Sequence, residues 1–331
     1  MAQALEANLV DFNEQLPTAM LEAAAEVYNL FNERSGGAIQ IVDEDVMGNF
    51  PAMGYFANRD TAARRDITSS SARTPAGASM TTELGVVLSR SSNEDQTISA
   101  LKKEGIDVAA LSRNIANKFV NDKLKNAFAS AVAALVGCLT KSSNTYLDKS
   151  ALSSGNTISL NHCWDTLQLL GDMAGEVAVA VMHSYQATAL KKTLGASANT
   201  AGDLIATGVI VDDVLSGHFM KPVIVTDNSN LLVAAGSSSG AYNTYRTLFL
   251  TGGAVMLKVM ETLEAAAYID RAYVNAMLGV TGEYEVELRA KGFSFSVGTK
   301  NPNDSTLATT GSWTQGATSV KHGPGALLIT R

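Results

Sequence analysis

Apolar side chains recur every three or four positions between Asp107 and Leu139, at Val108, Leu111, Ile115, Phe119, Leu124, Phe128, Val132, Leu135 and Leu139. That is the period of one face of an α-helix. No proline interrupts the stretch, Gly105 precedes it, and Asp107 is a suitable N-cap. The spacing predicts one helix of roughly 50 Å at about 1.5 Å per residue. An ordinary helix has about 11–12 residues. A beam of this length suits a flat, elongated subunit better than a compact enzyme. An ordinary α+β domain with one long helix would show the same pattern.

Ahead of the beam, Leu5, Leu9, Phe12, Leu16, Met20, Val27 and Phe31 mark another amphipathic helical face. Pro17 is expected to break or restart that helix, and Ser35, Gly36 and Gly37 to stop it. A short strand, Ala38 to Val42, leads into Asp43, Glu44 and Asp45. Residues 61–92 are rich in small polar side chains and predict a long hairpin or extended loop, with strands near Arg64 to Ser69 and Thr82 to Arg90. Ser91 to Thr97 reads as a polar joint and Ile98 to Glu104 as a short helix.

Behind the beam, a polar linker runs to Thr157, and residues 158–255 read as an α/β lobe. Its expected parts are a helix from Ile158 to Gly171 burying Trp164, Leu167 and Leu170, a turn at Asp172 to Ala174, and a buried strand, Val177 to Met182. A helix from Ser184 to Leu194 follows, then short strands at Val209 to Val211, Pro222 to Thr226, Leu231 to Ala234 and Arg246 to Leu250. From residue 255 onward the period becomes two: Glu285, Glu287 and Arg289 alternate with Val286 and Leu288, and Phe293 and Phe295 with serines. This predicts a sheet with one wet face. NPND at Asn301 to Asp304 is a turn, and Trp313 a packing anchor.

Composition narrows the function. The 331 residues are 46% apolar and only 17% charged, which suits a protein that hides much of its surface against copies of itself. The formal net charge of −7 argues against general affinity for nucleic-acid phosphates but suits a wall that contains DNA without sticking to it. Cys138 and Cys163 are expected as buried thiols in a reducing compartment. The N-terminus lacks the basic and apolar blocks of a signal peptide, and no apolar run is long enough to span a membrane.

Candidate chemistry is sparse. The three acids at Asp43 to Asp45 lack the spacing of a calcium loop and read as a solvated turn. GSSSG, Gly236 to Gly240, has the form of a nucleophile elbow with Ser238 as nucleophile, but His322 is the one histidine downstream and sits in a KHGPG turn. His183 beside Ser184 reads as a structural histidine next to a helix N-cap, and Asp212 with Asp213 as a turn. There is no Walker or dinucleotide motif. Arg59, Arg64, Arg65 and Arg73, diluted by Asp60, Asp66 and Glu83, are expected to pair with acids of a neighbouring subunit or to face solvent.

The order arm, extended loop, long helix, α/β lobe and late strands resembles the major capsid proteins of tailed phages, the Hong Kong 97 fold. Local wording agrees: LGDMAGEVAVAVMHSYQATAL (Leu170 to Leu190) is similar to that family's axial-domain element, KPVIVTDNSNLL (Lys221 to Leu232) to the strand after it. TGGAV and GEYEVELRAKGFSFSV fall in the expected later places, and RRD (Arg64 to Asp66) sits where the extended loop begins. The resemblance implies an α+β fold with an N-terminal arm (1–45), an extended β-hairpin loop (46–92), a peripheral domain carrying the spine helix (93–157), an axial domain (158–255) and return strands of the peripheral domain (256–331). It implies a non-enzymatic protein without cofactors that assembles as hexamers and pentamers into an icosahedral shell around double-stranded DNA, in the virion and first in the host cytoplasm. Partners would be copies of itself, a portal protein and, because the arm starts almost at Met1, a scaffolding protein supplied in trans; a cement protein is a further expected partner. Alternatives are an encapsulin-like cellular compartment and a serine hydrolase using Ser238.

Overall fold

The structure is a computed structural model. It describes residues 2–46, 48–56, 68, 80–97, 108–152, 154–194, 203–206, 209–219, 221–235, 242–270, 277–317 and 319–331. In chain order the strands are β1 (Ile39–Asp43), β2 (Ala52–Phe56), β3 (Met80–Leu84), β4 (Val86–Thr97), β5 (Tyr146–Asp148), β6 (Val177–Met182), β7 (Asp203–Ala206) and β8 (Val209–Val211). They continue with β9 (Val223–Thr226), β10 (Leu232–Val233), β11 (Thr244–Thr251), β12 (Val255–Asp270), β13 (Met277–Ala290), β14 (Phe293–Phe295), β15 (Trp313–Gln315) and β16 (Gly325–Thr330).

The predicted beam is present as a 32-residue helix, Val108–Leu139. Its first described turns are amphipathic, with Arg113, Asn114, Asn117 and Lys118 exposed; from Ala131 to Leu139 every residue is buried. A helix apolar all round must be covered on all sides, and this one is. The N-terminal helix, Ala2–Arg34, lies along it, with Phe31 edge-on to Phe128 at 5.6 Å. Pro17 sits inside that helix and does not end it. Packing of Leu16, Met20 and Phe31, all buried, holds the turns on either side of the proline.

Two sheets flank the long helix. One has the order β1-β12-β13-β4, the other β5-β16-β11-β6-β9-β8-β7, with β10 beside β11. Val86, Leu88, Leu257, Val286 and Leu288 of the first share one core with the long helix and with Val179, Val181, Leu248 and Leu250 of the second. The opposite face of the second sheet (Ala180, Met182, Phe249, Leu328) forms another core under three short helices, Leu160–Gln168, Ser184–Thr193 and Asp213–Phe219. Burial on both faces explains why β6 reads VAVAVM without alternation.

Several local expectations are corrected. Ser91 to Thr97 is the far half of β4, paired with β13, and no joint. The Ile158 helix runs only from Leu160 to Gln168 and buries Cys163 and Thr166; Leu170 is buried just beyond its end, and Trp164 is 52% exposed. Small Cys163 and Thr166 let the helix approach the sheet, and the Thr166 hydroxyl donates to the His162 carbonyl at 2.7 Å. Asp172 to Ala174 belongs to a 3-10 helix, Gly171–Glu176, and Asp213–Phe219 is a helix the pattern missed. On the wet face of β13, Glu287 is buried, its carboxylate held by the Arg289 guanidinium. The final strand, β16, leaves the late sheet and lies between β5 and β11 in the second sheet. Within residues 46–92 the described rungs are β2 on β3, Ala52 opposite Leu84 through Phe56 opposite Met80; the strand expected near Arg64 to Ser69, apart from Thr68, and the helix at Ile98 to Glu104 lie outside the described residues.

Candidate functional site

Ser238 and its GSSSG segment lie outside the described residues, as do Arg59, Arg64, Arg65 and Arg73. His183 and Ser184 are described. Ser184 is not the cap of its helix: His183 is, its Nδ1 accepting the Tyr185 N–H at 3.2 Å. The Ser184 hydroxyl donates to the Asp227 carboxylate, and His183 Nε2 stands 3.7 Å from the same oxygen. A serine nucleophile must hydrogen-bond the imidazole that takes its proton; here the hydroxyl hydrogen-bonds an exposed carboxylate instead, and the imidazole serves the start of the helix. Tyr185 stacks on Tyr245 beside it at 4.7 Å.

Asp212 caps the Asp213–Phe219 helix by accepting the Leu215 N–H at 3.1 Å, and its other oxygen pairs with Lys191 Nζ. Both side chains are buried, so the acid is spent on structure. Glu44 of the acidic patch pairs with Lys258 at 2.6 Å, while Asp43 and Asp45 are exposed. Among the described residues no group of three or more His, Cys, Asp or Glu is placed to hold a metal ion, and no helix is long and apolar enough to cross a membrane. Cys138 and Cys163 are free and buried; burial pushes the Cys163 thiol up to about 12 and raises that of Cys138 well above its ordinary value.

What remains is surface. The segment Phe50 to Leu84 is fixed at both of its ends to the body: Gly292 N–H donates to Glu83 Oε1 at 2.8 Å, Leu84 N–H to Ser294 Oγ at 3.2 Å, and Phe50 stacks on Phe295. Large apolar side chains nevertheless stand in solvent in separate regions, among them Leu21 on the N-terminal helix, Met53 and Leu84 on the loop base, and Trp164 and Tyr185 on the helices over the second sheet. Trp164, Leu167, Phe219 and Phe249 line an open groove of about 490 Å³. A side-chain bridge ties the body together: Arg90 donates to Ser130 Oγ at 2.8 Å, and Ser130 Oγ to Asp304 Oδ1 at 2.8 Å. Neither this bridge nor the Lys191–Asp212 pair was singled out from the sequence, since each joins residues far apart in the chain with no local pattern.

A long helix flanked by two sheets is a fold shared with solved phage capsid structures. The capsid of Ralstonia phage GP4 aligns at a TM-score of 0.51 and 10% identity, covering 89% of this chain and 87% of that one. The cyanophage Pam1 capsid gives 0.51 and 10% over 88% of each chain, and Microbacterium phage Oxtober96 gives 0.50 and 14% over 89% and 90%. No curated protein matches the chain. The model of one family, Gp13-like, described as major capsid protein 13-like, matches residues 8–327. The chain belongs to this family of phage major capsid proteins, and its place is the virion capsid.

Proposed function

We propose that the chain tiles an icosahedral shell, as hexamers and pentamers, around a double-stranded DNA genome. The family match over residues 8–327 carries this reading. In it, residues 158–255 meet around the capsomer axes, joined there by β5 and β16 of the same sheet. The long helix and the four-stranded sheet form the periphery. The extended loop (46–92) reaches an adjacent copy, where Arg59, Arg64, Arg65 and Arg73 meet acids, and the arm (1–45) clasps another. Many interfaces of roughly 1,600 Å² add up to a wall that resists internal pressure. Its role is mechanical and not catalytic; scaffolding, portal and cement proteins are its partners beside its own copies. The net charge of −7 supports containment of DNA without adhesion.

The test is expression of the full chain alone and with the scaffolding protein of its own genome, followed by negative-stain microscopy and sedimentation. Closed, uniform shells with scaffold are expected. A compact monomer under every condition would overturn the reading.

A further inference from the structure

Over the half of the four-stranded sheet where β1 pairs with β12, both margins are met by the chain's own polar groups, set at the spacing of a missing strand. At the β1 margin, Asn32 Nδ2 donates to the Ile41 carbonyl at 2.8 Å, and the Ile41 N–H donates to Asn32 Oδ1 at 2.8 Å. Two residues back, Ser35 Oγ donates to the Ile39 carbonyl at 3.0 Å. At the β4 margin the Gly85 N–H donates to the Pro51 carbonyl at 2.8 Å and the Val87 N–H to the Asn49 carbonyl at 3.1 Å. Then, in the same two-residue step, Asn301 takes both outward groups of Ser89: the Ser89 N–H donates to Oδ1 at 3.1 Å and Nδ2 donates to the Ser89 carbonyl at 3.1 Å.

An amide side chain offers one acceptor and one donor, the pair that a residue of an added strand would present. The two outer strands each receive one such amide. Asn301 holds it at φ 46°, and among the described residues it is the one non-glycine with positive φ. That left-handed conformation is disfavoured for most residues and tolerated by asparagine. It turns the amide along β4 from the NPND turn.

We infer that Asn32 and Asn301 are sealing residues that keep a second copy of this chain from adding a strand to this half of the sheet. A protein that must crowd hundreds of copies together before they lock into place exposes every unpaired strand margin to its neighbours, and such margins template aggregation. A strand from another copy has to evict an asparagine from two bonds before it can pair.

Asn32→Ala and Asn301→Gly test this with little collateral damage. Alanine suits position 32 inside a helix, and glycine keeps the positive φ at 301. In the full chain held as unassembled subunits, amide exchange at Ile41 and Ser89 is expected to quicken at least about tenfold in the double variant, because each loses its local bond. The same sample is expected to gain thioflavin-positive, β-rich aggregate that the parent does not form. Asn301→Gly alone, at an exposed site, should quicken Ser89 and leave Ile41 unchanged, which keeps the test valid where the double variant folds poorly. Unchanged protection at Ser89, or faster exchange without any β-rich aggregate, would overturn the inference.

Discussion

Gly137 lies where the long helix meets the Trp313 segment. A Cβ built there would stand 2.3 Å from the Leu307 carbonyl oxygen and 2.9 Å from the Trp313 ring. That carbonyl accepts the Trp313 Nε1–H at 2.7 Å, and the indole packs edge-on against Phe295. An added methyl must push on backbone and on a fully buried ring together, and overpacking of this kind costs about 1–3 kcal/mol. Gly137→Ala is expected to fall at the upper end, read as a lower urea midpoint of unassembled subunits. The two buried thiols give a pH dependence. An unfolded cysteine ionises near pH ~8.5, whereas Cys163 in the fold does so at about 12. Below the unfolded value its burial contributes fully; as pH rises toward the folded value the unfolded chain releases a proton that the native one keeps, and stability falls. Cys163→Ala should flatten that alkaline decline, and a maleimide should leave both thiols of the native chain unlabelled at pH 7.

Elements were legible where a period met no competitor. The long helix declared itself by three-and-four spacing without a breaker, and β6 by an unbroken apolar run that two-sided burial explains. The far half of β4, SSNEDQT, was invisible because a strand held mainly by backbone pairing to β13 needs no apolar face. Trp164 was misplaced because size is not burial: the helix turns its small residues to the sheet. Among the sites, Ser238 lies outside the described residues, and the sealing asparagines were beyond reach, since each acts on a strand whose position the local sequence does not specify. One element's stability turns on a pair that was equally hidden. Lys191 and Asp212 join the Ser184–Thr193 helix to the start of the Asp213–Phe219 helix with both charges buried. Breaking such a pair on one side costs about 3–5 kcal/mol, mostly from the stranded charge. Lys191→Met should show that loss in denaturant unfolding, and adding Asp212→Asn, which keeps an acceptor for the Leu215 N–H, should restore most of it.

For the molecule as a whole, limbs and body are expected to separate by mutation. The loop base is fastened to the body through Glu83, Leu84 and Phe50, so the body does not need what lies beyond it. Deleting Arg64 to Gly77 should leave folded, soluble capsomers with an unchanged melting temperature and no closed shells in the electron microscope. Ordinary shells from that deletion would remove the loop from assembly.

The placing of β16 sets a clock. Residues 325–330 lie between β5 and β11, so the second sheet stays divided, with β5 detached from the rest, while some seventy residues after Thr251 are still to be made. Domains fold as their residues leave the ribosome, at about 5–20 per second. A nascent chain therefore carries an incomplete lobe until residues 325–330 have emerged and β16 can join β5 to β11.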